Sequence, residues 1–368
     1  MISVIGAGPA GSYYSSLAAK SNDIHLFEED KAIGKPVACT GILTDSVKDI
    51  LQNIPKYLVV TNIKRFKIIA PNGKSIYIRL KNPDIVLDRA RFDEYLYNKA
   101  VDSGAKIHLN EKFLGYKKLD NHKSDNKYSI KTTKSTYDTD MIVGSDGPNS
   151  VVAKNADMFR NRRFIQGLQV RAKYPELEEG TTIIYLNLGE FSWIVPEDDK
   201  IARVGVIGVN NKKLHEDYRR LIKDAKIIEH QSGIIPLYDP NQQLRKSKED
   251  IFLIGDSATQ VKATTYGGII YGLHAAKLLA ENKNSYEKKF NSTYGKELRL
   301  SLKMREWMNV MKDKHANDLI EIFGKEKNSK ILSDHDRNYP SKLILPLLIR
   351  EPKLWKLGFD IFKNRLTR

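Results

Sequence analysis

The chain has 368 residues, 41% of them apolar, enough for two domains that share one ligand crevice. Its one cysteine, Cys39, excludes an intramolecular disulfide framework and a cysteine-rich metal site, and its eight histidines are scattered without ligand spacing, so no metal is expected. Lys and Arg number 61 against 45 Asp and Glu, a formal charge of +16; such a field favours phosphorylated substrates, anionic lipid surfaces or nucleic acid, or else reflects a Lys-, Ile- and Asn-rich composition.

Residues 2–6 form a short apolar strand, residues 9–20 a helix and Ile24–Phe27 a second strand. No signal peptide is expected ahead of the first strand, because Ile2 already belongs to it. The segment Lys31–Thr44, rich in Gly, Pro and small residues, is a loop with a specific task. Ile63–Ile69 and Ser75–Leu80, separated by Pro71-Asn-Gly-Lys74, predict a hairpin. Arg91–Ser103 is helical; Lys106–Leu109, Phe113–Leu119, Tyr128–Thr133 and Met141–Val143 are strands. From Gln166–Tyr174 through Thr181–Leu188, Phe191–Pro196 and Ile201–Val209 the pattern is strand-rich. Asp250–Ile254 returns to a buried strand, a long helix starts near Gly267, and residues 286–368 are mostly helical and basic. No stretch reaches the roughly 20 apolar residues of a membrane span. A cytoplasmic protein is expected.

The pattern predicts an α/β fold. A discontinuous Rossmann-type nucleotide domain (1–62, 84–160 and 250–285) holds an inserted antiparallel β-sheet substrate domain (63–83 and 161–249), with a C-terminal helical region (286–368) after it. Gly6, Gly8 and Gly11 form G-x-G-x-x-G between the first strand and the first helix. The first glycine permits a tight turn, the second lets backbone approach a pyrophosphate, and the third lets helix pack on strand. The helix N-terminus then offers its partial positive charge to the phosphates. Glu28 ends the second strand, where a carboxylate accepts hydrogen bonds from ribose hydroxyls and repels a 2′-phosphate.

Three further stretches resemble the aromatic-hydroxylase superfamily of FAD flavoproteins: DRARFD (Asp88–Asp93), VGSDGPNS (Val143–Ser150, with its acid at Asp146) and IFLIGDSA (Ile251–Ala258). The resemblance implies FAD as cofactor, with Asp256 holding its ribityl chain. Narrower still, GDSATQVKATTYGGIIYG (Gly255–Gly272), GKPVACTG (Gly34–Gly41) and GEFSWIVP (Gly189–Pro196) resemble the geranylgeranyl reductase family. That resemblance covers roughly residues 1–280. It implies an FAD-dependent reductase that saturates C=C bonds in the geranylgeranyl chains of archaeal-type membrane lipids or their precursors. It also implies that Ala10, Glu28, Cys39, Gly41, Arg89, Asp256, Gly268 and Ile269 contact FAD. Gly267 and Gly268 at a helix start can offer N–H groups to the flavin's pyrimidine end.

Trp193, Ile194, Val195 and Tyr266 are expected to line a dry slot for the alkene. Cys39 is the candidate proton donor, or else a small buried hydrophobe. Arg89 is alternatively a salt-bridge partner of Asp88 or Asp93. Tyr266 stands where relatives carry a small residue. No second G-x-G-x-x-G is present, so electrons come from NAD(P)H visiting transiently or from a ferredoxin-type carrier protein. The segment Lys342–Arg350, with Lys353, Trp355, Lys356 and Phe359, mixes apolar and cationic residues, which suits peripheral contact with an anionic membrane or a docking helix. Two competing functions are a flavin monooxygenase or halogenase on the same scaffold, and a non-catalytic basic flavoprotein on lipid or nucleic acid. No nucleic-acid-binding motif is visible, and no nucleic-acid partner is expected.

Overall fold

The computed structural model describes residues 1–120 and 127–366. The end of the expected C-terminal helical region, 367–368, lies outside the described residues.

Short, mostly apolar strands suit the middle of a parallel sheet that is covered on both faces. Ile2–Ile5 takes that position. The strands Ile251–Leu253, Met141–Gly144, Ile2–Ile5, Ile24–Phe27 and Lys106–His108 lie side by side in that order, all parallel. Val4 stands opposite both Val143 and Leu26. Helix Pro9–Ala18 follows the central strand directly, with proline pre-organised in its first turn. It packs between the helices Arg89–Asp102 and Ile269–Glu281. The Asp88 side chain caps the first of these, accepting from the Arg91 N–H at 3.2 Å.

The second sheet has eight strands in the order Lys226–Pro236, Phe164–Lys173, Ile201–Gly208, Phe191–Pro196, Thr181–Tyr185, Val59–Ile69, Ser75–Leu87 and Ile42–Leu43. It was expected to be antiparallel. It is so at every junction except one, where Thr181–Tyr185 runs parallel to Val59–Ile69 and joins the early hairpin to the later strands. The hairpin strands extend beyond residues 63–83, from Val59 to Leu87, and so carry the sheet right up to the cap of helix Arg89–Asp102.

Besides the edge strand Ile42–Leu43, which falls within the expected loop Lys31–Thr44, two elements here were not anticipated. Helix Asn211–Leu221 has only three large apolar or aromatic side chains, yet Leu214 and Leu221 are buried over one face of the sheet and Asn210 caps it, accepting from the Lys213 N–H at 3.1 Å. Strand Lys226–Pro236 is an exposed edge paired only with Phe164–Lys173. Both its faces meet solvent along much of its length, so it has no clean alternation to announce it. A small sheet, Phe113–Lys118, Tyr128–Thr132 and Thr136–Thr139, completes the strands, its last member also unforeseen.

The C-terminal helices from Tyr286 onward cover the hairpin face of the large sheet. Their turn at 336–338 is stitched to both the large sheet and the nucleotide side. Arg337 pairs with the buried Asp84 at 2.5 Å, and the Asn338 amide donates to Thr44 Oγ1 at 2.8 Å. Lys262 donates to Asn338 Oδ1 at 2.8 Å. Burial pushes the Lys262 ammonium down to about 7, and the nearby Arg337 charge adds to this.

Candidate functional site

The three glycines of the first turn do different things. Gly6 has φ +99°, and a Cβ there would lie 2.4 Å from Ser145 O. A Cβ on Gly11 would lie 2.1 Å from Gly6 O and 2.3 Å from Ser145 Oγ. Gly8 has φ −66° and ψ 178°, extended backbone open to any residue, and nothing of the protein comes within 4 Å of its Cβ position. The protein's own packing requires the first and third glycines; the space before Gly8 is left for something else. The Glu28 carboxylate fastens this turn to the second strand, accepting from the Ala7 N–H at 2.7 Å and the Asp30 N–H at 3.0 Å.

The second acidic turn, Gly255–Asp256, sits against the start of the first helix. A Cβ on Gly255 would be 3.2 Å from Ala10 Cβ, and one on Gly272 would be 3.4 Å from the same atom. Small residues at these three positions let two helix starts, at Pro9 and Ile269, converge on one place. Asp256 lies between them; a Cβ on Gly268 would be 2.8 Å from its Oδ1. Burial pushes the Asp256 carboxyl up to about 6, against the opposing pull of Arg89 and Arg162. An acid held in such a position at a junction of helix N-termini fits the hydroxyl-rich linker of a dinucleotide. Gly8, Glu28, Asp256 and Gly268 together fit FAD.

Asp146 does structural work. It accepts from Ser150 Oγ at 2.6 Å and the Val152 N–H at 3.0 Å, at the start of helix Val151–Asn155. Arg89 is likewise engaged with the protein: its Nη2 donates to both oxygens of Asp93, at 3.1 and 3.0 Å. Burial works against the Arg89 charge, but Asp93 and the adjacent Cys39 more than offset this and hold the guanidinium above its ordinary range. Cys39 is half-buried, and its Sγ accepts from the Gly41 N–H at 3.4 Å. Gly41 has φ +76°, with Leu87 O 2.8 Å from its Cβ position, so a side chain is excluded.

Alternation along Phe191–Pro196 splits the expected slot residues. Trp193 and Val195 face the side of the sheet toward Cys39 and share a buried cluster with Tyr266 and Phe66. Ile194 points the other way, into the core beneath helix Asn211–Leu221, with Leu168 and Val204. Ile194 is therefore removed from the slot, because successive strand residues project to opposite faces. The indole of Trp193 lies over Gly205, 2.3 Å from where its Cβ would be. Its Nε1–H donates to Gln169 Oε1 at 2.9 Å, and the same oxygen accepts from Thr40 Oγ1 at 2.7 Å. Tyr266, at φ +55°, donates its hydroxyl to Glu190 Oε2 at 2.5 Å, with the Arg305 guanidinium 5.2 Å over its ring. Arg305 donates to Ala263 O at 3.0 Å and to Glu190 O at 2.5 Å, fixing the loop that carries Tyr266.

Several of these residues were missed from sequence. Arg203 is buried and donates to Thr40 O at 2.6 Å and Leu87 O at 2.9 Å, while Glu197 holds its Nε at 2.7 Å. It clamps the Cys39 loop to the large sheet. A charged residue inside the apolar run Ile201–Gly208 was the available signal. Gln169, Glu190 and Arg305 carried none.

No protein-family model matches the chain. Among curated proteins it is 25% identical to digeranylgeranylglycerophospholipid reductase 2 of Methanopyrus kandleri, over 98% of each chain. It is 26% identical to digeranylgeranylglycerophospholipid reductase of Methanothrix thermoacetophila, over 96% of this chain and 97% of that one. The chain resembles these reductases from end to end. Among solved structures, a geranylgeranyl bacteriochlorophyll reductase-like protein of Thermoplasma acidophilum superposes with a TM-score of 0.80 at 19% identity, covering 98% of both chains. The halogenase PltM, solved in complex with FAD, superposes at 0.62 with 13% identity over 90% of this chain and 81% of that one. The chain thus shares the fold of this reductase-like protein and of the flavin-binding halogenase.

Proposed function

We propose that the chain is an FAD-dependent oxidoreductase that saturates C=C bonds of geranylgeranyl chains in archaeal-type membrane lipids or their precursors. The observation that carries this reading is the end-to-end similarity to proteins named digeranylgeranylglycerophospholipid reductases. The site agrees with it. Gly8 leaves room for a pyrophosphate, Glu28 for a ribose and Asp256 for the ribityl chain. When bound and reduced, FAD supplies a hydride to one alkene carbon.

An isolated alkene has no carbonyl to take up charge, so the other carbon needs a proton before or with the hydride. Cys39 is the candidate donor: its thiol is half-buried beside Arg89. Trp193, Val195 and Tyr266 supply an apolar wall that excludes water and holds the chain. The electron donor is NAD(P)H or a reduced ferredoxin-type carrier.

The test incubates dithionite-reduced, FAD-loaded protein with geranylgeranyl diphosphate and with an unsaturated archaeal phospholipid, read by mass spectrometry. A gain of two hydrogens per double bond is expected. A gain of oxygen or halogen in the presence of O₂ would move the reading to the monooxygenase or halogenase class, and no product at all to a non-catalytic flavoprotein. In the same assay, Cys39→Ala and Cys39→Ser are expected to turn over at least tenfold more slowly with FAD still bound. Near-normal rates in both would end the proton-donor role.

Among the described residues no helix is long and apolar enough to cross a membrane. Peripheral contact is part of the proposal. Leu345, Ile349, Trp355 and Phe359, on the helices Pro340–Arg350 and Pro352–Leu366, are 62%, 73%, 64% and 58% exposed. Lys342, Arg350, Lys353 and Lys356 stand among them. Exposed aromatic and aliphatic residues ringed by cations suit the headgroup region of an anionic bilayer. The protein is expected to sediment with anionic vesicles and not with neutral ones, and Ile349→Glu/Trp355→Glu to lower binding at least tenfold. Equal sedimentation of parent and variant would remove the membrane contact.

A further inference from the structure

Two chain crossings connect the nucleotide side to the large sheet, one ending at Phe164 and one leaving Pro236. Between them lies a cleft of about 370 Å³, lined by Arg160, Asn161, Arg163, Tyr238 and Asp239 among others. Arg160 is held at φ +52°, a region an arginine rarely occupies, so the surrounding chain imposes the conformation. Its Nε meets Asp239 Oδ2 at 3.2 Å, which orients the guanidinium. Arg163 is exposed and has no ion-pair partner among the described residues. Its carbonyl accepts from the Leu237 N–H at 2.9 Å, tying the two crossings together.

Between these two arginines, Arg162 turns inward. Its Nη1 donates to Pro148 O at 3.0 Å and its Nη2 to Ser257 O, so one side chain bridges both acidic turns of the nucleotide side. Its Nε is buried with no hydrogen-bond partner. Asp239 is anchored to the same place, its N–H donating to Thr259 Oγ1 at 3.1 Å. Lys154 adds charge nearby, stacked 4.8 Å over the Phe159 ring that Arg162 also covers at 4.4 Å. The cleft is therefore lined by two guanidinium groups against one carboxylate, which is spent on orienting Arg160, and it is tied through Arg162 to the turn that carries Asp256.

We infer that this cleft binds a phosphate or diphosphate group of a molecule whose remainder reaches the cofactor turn. Guanidinium forks match phosphate oxygens in pairs, and two of them on one wall of a cleft select that group over a lone carboxylate. The chemistry is shared by two sources, the diphosphate of a nicotinamide dinucleotide and the phosphate head of an isoprenoid lipid. Only the identity of the source rests on the reductase reading; phosphate binding itself is measurable without turnover.

The test titrates FAD-saturated full-length protein with inorganic pyrophosphate by calorimetry at low ionic strength. The parent is expected to bind. Arg160→Gln/Arg163→Gln is expected to bind at least tenfold more weakly, and Arg163→Gln alone at least threefold more weakly; the single variant removes no ion pair and keeps the fold. Lys223→Gln/Lys226→Gln, which removes equal charge elsewhere, is expected to bind as the parent does. Equal binding by the arginine variants, or equal loss in the lysine variant, would overturn the site. Competition then assigns the source: displacement of pyrophosphate by NADPH marks a donor site, displacement by geranylgeranyl diphosphate a substrate site. Displacement by neither overturns the proposal.

Discussion

Gly8→Ala is expected to fold as the parent chain does and to lose FAD, whereas Gly11→Ala is expected to lose the fold. Each substitution adds one methyl group, and the two sites lie three residues apart. At Gly11 the new carbon would sit 2.1 Å from a backbone oxygen and 2.3 Å from Ser145 Oγ. Neither atom is the end of a flexible side chain: Ser145 Oγ is itself held by Ile5 O and Gly6 O at 2.8 Å. The helix start would have to withdraw from the central strand, at a cost of about 3 kcal/mol or more. That is a large part of the stability a domain ordinarily has. At Gly8 the methyl meets no protein atom, and the backbone angles suit alanine. The flavin-free Gly8 variant should therefore melt within about 2 °C of the parent, since a surface change of this kind is worth at most about 0.5 kcal/mol. Its FAD affinity should fall at least a hundredfold, because the methyl occupies the approach to the pyrophosphate. Paired thermal melts and flavin titrations check both. Normal FAD affinity in Gly8→Ala would mean that the cradle faces something other than the cofactor.

That contrast also marks how far the sequence could be read. The strand, turn and helix that carry Gly6, Gly8, Gly11 and Glu28 were legible because they lie within thirty residues, each with its own signal. Asp256 was picked out by resemblance, and the approach of Ala10 to its neighbour Gly255 appears only across the fold. Ile194 could have been set aside from alternation alone, since 193, 194 and 195 on one strand cannot all face one slot. Helix Asn211–Leu221 was hidden by its nearly all-polar sequence, and strand Lys226–Pro236 by its solvent-facing edge position. The contacts that fix the slot were beyond reach for a different reason. Trp193 with Gln169, Tyr266 with Glu190, and Arg203 with Thr40 are pairings between strands or loops distant in sequence. Their register follows from tertiary packing, which no local pattern encodes. Asp146 was read as a motif residue, and its hydrogen bonds from Ser150 Oγ and the Val152 N–H, at the start of helix Val151–Asn155, became visible only in the fold.

Asp256→Asn is expected to stabilise the flavin-free protein at neutral pH while weakening FAD binding. Burial is the main cause of the raised carboxyl, with Arg89 and Arg162 opposing it, and the group titrates at about 6 in the folded chain against 3.8 when unfolded. The sign follows from linkage. Between these two values the folded state holds the proton more tightly, so stability falls as pH rises through that window. Above about pH 6 the full penalty is in force, about 3 kcal/mol at roughly 1.4 kcal/mol per pH unit. Below pH 3.8 it vanishes. Asparagine keeps the shape and removes the titration. The difference in unfolding free energy, variant minus parent, should therefore be near zero at pH 4 and rise to at most about 3 kcal/mol at pH 7.5, as measured by denaturant titration of both flavin-free proteins.

FAD affinity should move the other way. Ribityl hydroxyls donate to a carboxylate, so binding favours the ionised form and releases a proton at low pH. Parent affinity should rise with pH up to about 6 and then level off, while the variant binds at least tenfold more weakly and without that slope. An asparagine variant less stable than the parent at pH 7.5 would show that Asp256 is a stabilising ion-pair partner of Arg89 and Arg162. Unchanged FAD affinity would separate it from the ribityl chain. The expected pattern is that of a carboxylate kept at a stability cost because its ligand needs an ionised acceptor where the two helix starts meet.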